Sequence, residues 1–114
     1  MQTLLSKNDI DSQELETLLK AREEGKVDFV LIDVREEMEY KMSHIKGVDM
    51  LKPTSTFQDW GQELFGTTQD TRVVFTCRTG SRSGQVASMF TQNGHKNAIN
   101  HYGGIMSYRG ETEK

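Results

Sequence analysis

Two short runs in this chain are apolar without interruption, and both end in polar chemistry. Phe29 to Ile32, within the stretch VDFVLIDV (residues 27–34), leads into Asp33-Val34-Arg35; Val73 to Phe75 passes through Thr76 into Cys77-Arg78. A half-exposed strand alternates apolar and polar residues, because successive side chains point to opposite faces. A run that is apolar throughout is covered on both faces, which is the situation of a strand in a parallel sheet.

The segments between these runs read as helices. Asp11-Ser12-Gln13-Glu14 has the form of a capping box, and Leu15, Leu18 and Leu19 follow at helical spacing. Glu14 and Glu16 near the start and Lys20 and Arg22 near the end suit the helix dipole, and Gly25 is a natural stop, so the spacing predicts a helix over 12–24. A short helix is expected over 36–42, with Met38 and Met42 turned to the core at i, i+4. Phe57, Trp60, Leu64 and Phe65 form one broad apolar face of a third helix that Gly66 ends. Helices over 84–90 and 105–108 follow, and residues 111–114 read as a frayed end. Leu4 and Leu5 suggest an edge strand, and further short strands are expected at 45–48 and 97–102. Strands alternating with helices define an α/β fold: a small, mainly parallel sheet of about five strands flanked by helices, with right-handed crossovers. Such sheets carry their sites beyond the carboxyl ends of the strands, so Asp33-Val34-Arg35 and Cys77-Arg78 should lie on one edge.

A length of 114 residues suits a single domain, 1–114, with one core. The net charge of −3 gives no reason to expect nucleic acid or an anionic membrane as partner, so any anion recognition must be local. Cys77 is the only cysteine, which rules out an internal disulfide and implies no oxidising compartment. The N-terminal stretch lacks the basic start and apolar core of a signal peptide, and no apolar run nears the about 20 residues of a membrane span. The cytoplasm is the expected setting.

The stretch CRTGSRS, residues 77–83, is where chemistry is concentrated. A thiol is a nucleophile only as the thiolate, and its pKa falls beside cations and at helix N-termini. Gly80, Ser81 and Ser83 are small enough for the backbone to curl, bringing N–H groups round a central point, and Arg78 and Arg82 add positive charge. A buried structural cysteine would have apolar neighbours on both sides, and Cys77 has them only on its N-terminal side. The loop reads as a device for holding an anion and keeping Cys77 deprotonated. His44, His95 and His101 lack metal-ligand spacing and read as structural or exposed; no metal and no cofactor is implied.

Taken together, DVRE at 33–36, HIKG at 44–47, VVFTCRTGSRS at 73–83 and GGI at 103–105 resemble the rhodanese (thiosulfate sulfurtransferase) family over nearly the whole chain, in order and in spacing. Two departures stand out: Val48-Asp49-Met50 where members often carry Ala and then Asn, and Tyr108 near the place of a common tryptophan. The resemblance implies a catalytic Cys77 that takes a sulfane sulfur from thiosulfate or a related donor as a persulfide and gives it to cyanide or a thiol, a protein acceptor included. It implies substrate binding or loop stabilisation by Arg78, Thr79, Gly80, Ser81, Arg82 and Ser83, with either arginine open as the one that meets substrate. Asp33 and Arg35 brace the loop or form a structural salt bridge. Two other readings use the same residues. A persulfide carrier or interaction module would turn over small molecules poorly. A cysteine-loop phosphatase or arsenate reductase would need C-x5-R, whereas Cys77 and Arg82 form C-x4-R, a ring too small for tetrahedral phosphate.

Overall fold

The computed structural model describes residues 2–114. In chain order the elements are α1 (Gln2–Leu5), β1 (Asp9–Ile10), α2 (Ser12–Glu23), β2 (Val30–Asp33), α3 (Glu37–Met42), β3 (His44–Ile45) and β4 (Met50–Leu51). After a 3-10 turn (Thr54–Thr56) come α4 (Phe57–Thr67), β5 (Val73–Thr76), α5 (Ser81–Gln92), β6 (Ala98–His101), α6 (Gly104–Ser107) and β7 (Thr112–Glu113). Five strands form one sheet in the order β1-β6-β5-β2-β4, with every neighbouring pair parallel.

The uninterrupted apolar runs find the double cover they require. Leu31, Val74 and Ile99 point to the face covered by Leu15, Leu18 and Ala21 of α2. Ile32, Val73 and Phe75 point to the other face, against Trp60 and Leu64 of α4 and Val86, Ala87 and Phe90 of α5. Phe75 and Phe90 meet edge to face with centroids 5.2 Å apart. Each such side chain taken from water contributes about 1.5–3 kcal/mol, so the two faces together fix the sheet and hence the position of every strand end. The capping box at the start of α2 is complete: the Asp11 carboxylate accepts from the Glu14 N–H at 2.7 Å, and Glu14 accepts from the Asp11 N–H at 2.9 Å.

Local differences from the sequence reading have local causes. Leu4 and Leu5 lie in α1, and the edge strand is Asp9–Ile10 beside β6. The stretch expected as one strand at 45–48 divides: His44–Ile45 pairs with the tail, and Met50–Leu51 joins the main sheet. Asp49 sits at this division. Its carboxylate accepts from the Leu31 N–H at 2.8 Å and from Arg22 at 2.7 Å, so the departure Val48-Asp49-Met50 ties β4 to β2 and α2. The tail at 112–113 is paired with β3, antiparallel, not frayed. Met38 and Met42 are 80% and 74% exposed, so they are surface residues of α3 and not core. None of the six residues of α3 is buried, and the buried Arg35 lies against the helix, donating to the Glu39 and Ser43 carbonyls.

All three histidines are buried. His44 stacks on Tyr40 at 3.8 Å, and His95 meets the Thr68 hydroxyl at 3.0 Å. His101, fully buried, meets the Thr76 hydroxyl through Nδ1 at 2.8 Å and the Ser12 hydroxyl through Nε2 at 2.7 Å. Burial pushes the His101 pKa down to about 4, against a small opposing pull from Asp11. The unfolded ring titrates near 6.5, so acidification protonates the unfolded chain first and stability falls between about pH 6.5 and pH 4. A shift of that size corresponds to about 3 kcal/mol. Urea unfolding of the wild type over that pH interval should show the loss. His101→Gln, which has no ring to protonate, should flatten it; an unchanged pH slope in that variant would refute the assignment.

Candidate active site

The carboxyl ends of β2 and β5 lie side by side, with Asp33 in register with Thr76 and the Val34 N–H donating to the Thr76 carbonyl at 2.9 Å. The two chemically loaded strand ends therefore share one edge, as the sequence predicts. Cys77 follows directly, almost fully buried. Gly80 takes φ +94° and ends the loop, so α5 begins at Ser81, three residues ahead of the predicted start at Gly84. Ser81, Arg82 and Ser83 thus form the first helical turn, where backbone N–H groups lack intrahelical partners.

The Ser83 N–H of this turn faces the thiol together with donors of the loop. The Gly80 N–H lies 3.1 Å from Cys77 Sγ, and the buried Ser83 hydroxyl lies 3.4 Å from it. Burial pushes the thiol pKa up, but the Ser83 hydroxyl and the N–H groups of Ser83, Thr79 and Gly80 together outweigh it, and the net direction is down from the ordinary value. This geometry depends on glycine. A Cβ on Gly80 would lie 1.9 Å from the Tyr102 carbonyl oxygen, and one on Gly104 would lie 2.2 Å from that of Arg78. The bare backbone of Gly104 lets α6 press against the loop, where the Ile105 N–H donates to the Cys77 carbonyl at 2.9 Å. Asn100 adds a bond from its side-chain amide to the Gly80 carbonyl at 3.3 Å.

The two arginines part company. Arg82 makes two bonds to the Glu39 carboxylate, at 2.7 and 3.0 Å, tying α5 to α3. The Arg82 guanidinium holds the Glu39 carboxyl well below the usual carboxylate range, at about 2. Arg78 is exposed at the rim, its Nε–H 3.3 Å from Met106 Sδ. Thr79 and Ser81 are also exposed there.

Asp33 and Arg35 form a buried bidentate pair, with the Arg35 Nη2 to Asp33 Oδ2 distance 2.8 Å. Arg35 also donates to the carbonyls of Glu39 and Ser43, at 3.4 and 2.7 Å. The pair therefore contacts α3, and α3 carries Glu39, which pairs with Arg82: the salt bridge is present, and it meets the loop only through α3. Sequence reasoning missed Glu39 and Asn100. The available signal for Glu39 was its place on the helix that starts at the loaded end of β2. Among the described residues no group of three or more His, Cys, Asp or Glu is placed to hold a metal ion.

A cysteine facing N–H donors between a parallel strand and a helix start defines a cysteine-loop protein on an α/β sheet. The family is narrower: a sequence model of the rhodanese-like domain matches residues 14–111, and the chain belongs to that family. It is 32% identical over 101 residues to a Bacillus subtilis protein designated sulfurtransferase YtwF, covering 83% of this chain and 87% of that one. It is 33% identical over 78 residues to MoeZ of Mycobacterium tuberculosis, designated an adenylyltransferase/sulfurtransferase; the match covers 68% of this chain but spans only 19% of MoeZ. The crystal structure of a rhodanese-like domain protein from Staphylococcus aureus superposes with a TM-score of 0.72 at 26% identity, covering 92% of this chain and 94% of that one. Family and relatives support sulfur transfer as the general function.

Two outcomes test this geometry. Ser83→Ala removes a donor that favours the thiolate, so the pH at which Cys77 reacts half-maximally with iodoacetamide should move up; an unmoved profile would show that Ser83 does not tune the thiol. Glu39→Gln should cost about 1–2 kcal/mol in urea unfolding, the loss of a charge-assisted pair that is part-exposed.

Proposed function

We propose that Cys77 is the nucleophile of a sulfurtransferase that carries a sulfane sulfur as a persulfide. The observation that supports this most directly is the convergence of the Gly80 N–H and the Ser83 hydroxyl on Sγ, 3.1 and 3.4 Å away. Such donors stabilise a sulfur anion with no general base. In the first half-reaction the Cys77 thiolate attacks the outer sulfur of thiosulfate. A new S–S bond forms, the old one breaks, and sulfite leaves with the electron pair. In the second half-reaction cyanide or a thiolate attacks the outer sulfur of the persulfide, forming thiocyanate or a new persulfide and releasing the Cys77 thiolate. Two half-reactions through a covalent intermediate imply ping-pong kinetics.

The roles divide by contact. The N–H groups of Thr79, Gly80 and Ser83 hold the anionic sulfur, and Ser81 opens the helix that supplies the last of them. Arg82, engaged by Glu39, braces the loop, while Arg78 is the cation that meets the sulfonate of the donor. Asp33 and Arg35 position α3. A cytoplasmic setting, in which thiols stay reduced, suits a lone reactive cysteine. The phosphatase reading finds no support in this geometry. Its ring would need one more residue between cysteine and arginine, and Arg82 is already committed to a carboxylate.

The persulfide is tested by intact mass. After incubation with thiosulfate or polysulfide the protein should gain one sulfur and lose it to cyanide or dithiothreitol, and Cys77→Ser should gain none while remaining folded. Absence of the adduct with every donor, or its presence on the serine variant, would overturn the proposal. Steady-state turnover with thiosulfate and cyanide then separates an enzyme from a carrier, which loads once and turns over small molecules poorly.

A further inference from the structure

The side chain that holds Arg78 is chemically unusual for a guanidinium. The Arg78 Nε–H donates to the thioether of Met106 at 3.3 Å, and among the described residues no carboxylate pairs with Arg78. Met106 is 64% exposed, so its place is not explained by core packing. It is nonetheless fixed to the loop. Its own N–H donates to the Arg78 carbonyl at 3.0 Å, and the tight approach of Gly104 to the same carbonyl keeps α6 there. Arg78 and Met106 therefore touch twice, once through the backbone and once through the side chains.

A thioether sulfur is a weak acceptor, while a carboxylate binds a guanidinium through bonds roughly twice as strong as neutral ones. Arg82, held by Glu39, has the strong partner and is a brace. Arg78 has the weak one and can be taken over by an anion. A guanidinium with no resting place would lose about 2 kcal/mol of rotamer freedom on meeting a ligand, and partial restraint beforehand lowers that cost. A carboxylate in place of the thioether would instead compete with the ligand.

We propose that Met106 is a positioning residue for anionic sulfur donors: its thioether parks the Arg78 guanidinium beside the Cys77 loop and yields it to the oxyanion group of the donor. The inference rests on the persulfide reading above and deepens it, by making donor charge the property that the rim selects. Met106 does not touch the reacting sulfur; it acts through Arg78.

The test compares wild type, Met106→Leu and Met106→Glu with thiosulfate and with a neutral dialkyl trisulfide as reagents, following by intact mass the Cys77 persulfide formed from thiosulfate and the mixed disulfide or trisulfide adduct formed from the neutral reagent as a thiolate is released. Position 106 is exposed, so both variants should fold. With Met106→Glu the half-saturating thiosulfate concentration should rise about tenfold, equivalent to about 1.4 kcal/mol, with little change in the saturating rate. Met106→Leu, which keeps size but removes the acceptor, should raise it about twofold to fivefold. Neither change should affect the neutral reagent, and Met106→Glu should add nothing in an Arg78→Ala background. A second readout needs no sulfur transfer. In Cys77→Ser, the Arg78 Nε–H resonance in proton–nitrogen correlation spectra should shift on Met106→Leu. Thiosulfate should shift that resonance at lower concentration when Met106 is retained than when Met106→Glu is added. An unmoved resonance, or equal thiosulfate affinity with and without Met106→Glu, would overturn the role of Met106. Failure of thiosulfate and polysulfide to form the Cys77 persulfide, with the resonance responding as expected, would overturn the persulfide reading and leave Met106 as an anion-positioning residue.

Discussion

A buried thiolate is unfavourable unless hydrogen bonds replace the water it loses, and most of this structure can be read as the means of supplying them. Burial alone pushes the Cys77 pKa up, and the donors of Ser83, Thr79 and Gly80 reverse the direction. Those donors exist because α5 starts at Ser81, which requires Gly80 at φ +94°. Gly80 can sit there only because nothing larger than hydrogen faces the Tyr102 carbonyl, 1.9 Å from where a Cβ would be. The turn that contains Tyr102 is itself set by β6, which is held in the sheet by both faces of its apolar cover. The electrostatics of one sulfur atom are thus tied to the packing of the whole sheet.

The loop is held by different means on its two sides. Towards β2, charges are paired in sequence: Asp33 with Arg35, Arg35 with the α3 carbonyls, Glu39 with Arg82. Removing one member of a buried pair leaves an uncompensated charge, so this side is stiff. Towards β6, the contacts are backbone bonds from α6, the Asn100 side-chain amide on the Gly80 carbonyl and one N–H to sulfur contact. An arrangement with carboxylates on both sides would hold the loop harder and would also repel or displace an anionic donor.

Most of the fold was legible because its signals are short-range. Uninterrupted apolar runs announced doubly covered strands at 30–33 and 73–76, and the capping box announced α2; all are where the sequence places them. The candidate site was legible as far as the chain is contiguous, from Cys77 to Ser83. Glu39 was not, because it lies 43 residues from Arg82 and nothing local marks its carboxylate as the partner. Met38 and Met42 misled for a related reason. An i, i+4 apolar pair indicates a core face only when something covers it, and the space inside α3 is taken by the buried Arg35. The tail pairing with β3 was hidden too, since polar residues at a chain end look frayed until a partner strand is known.

The division between Arg78 and Arg82 also bears on how far a loop motif predicts a substrate. From sequence, the two guanidiniums were equivalent cations beside a thiol. In three dimensions the carboxylate of Glu39 consumes the charge of one, and the loop then presents a single available guanidinium and a set of N–H groups. One guanidinium suits a small oxyanion attached to a sulfane sulfur. A tetrahedral phosphate needs an arginine that can chelate two oxygens from within the ring, and Arg82 has already committed both of its terminal nitrogens elsewhere. Ring size and arginine commitment are independent facts, and both argue for sulfur as the atom that the loop holds.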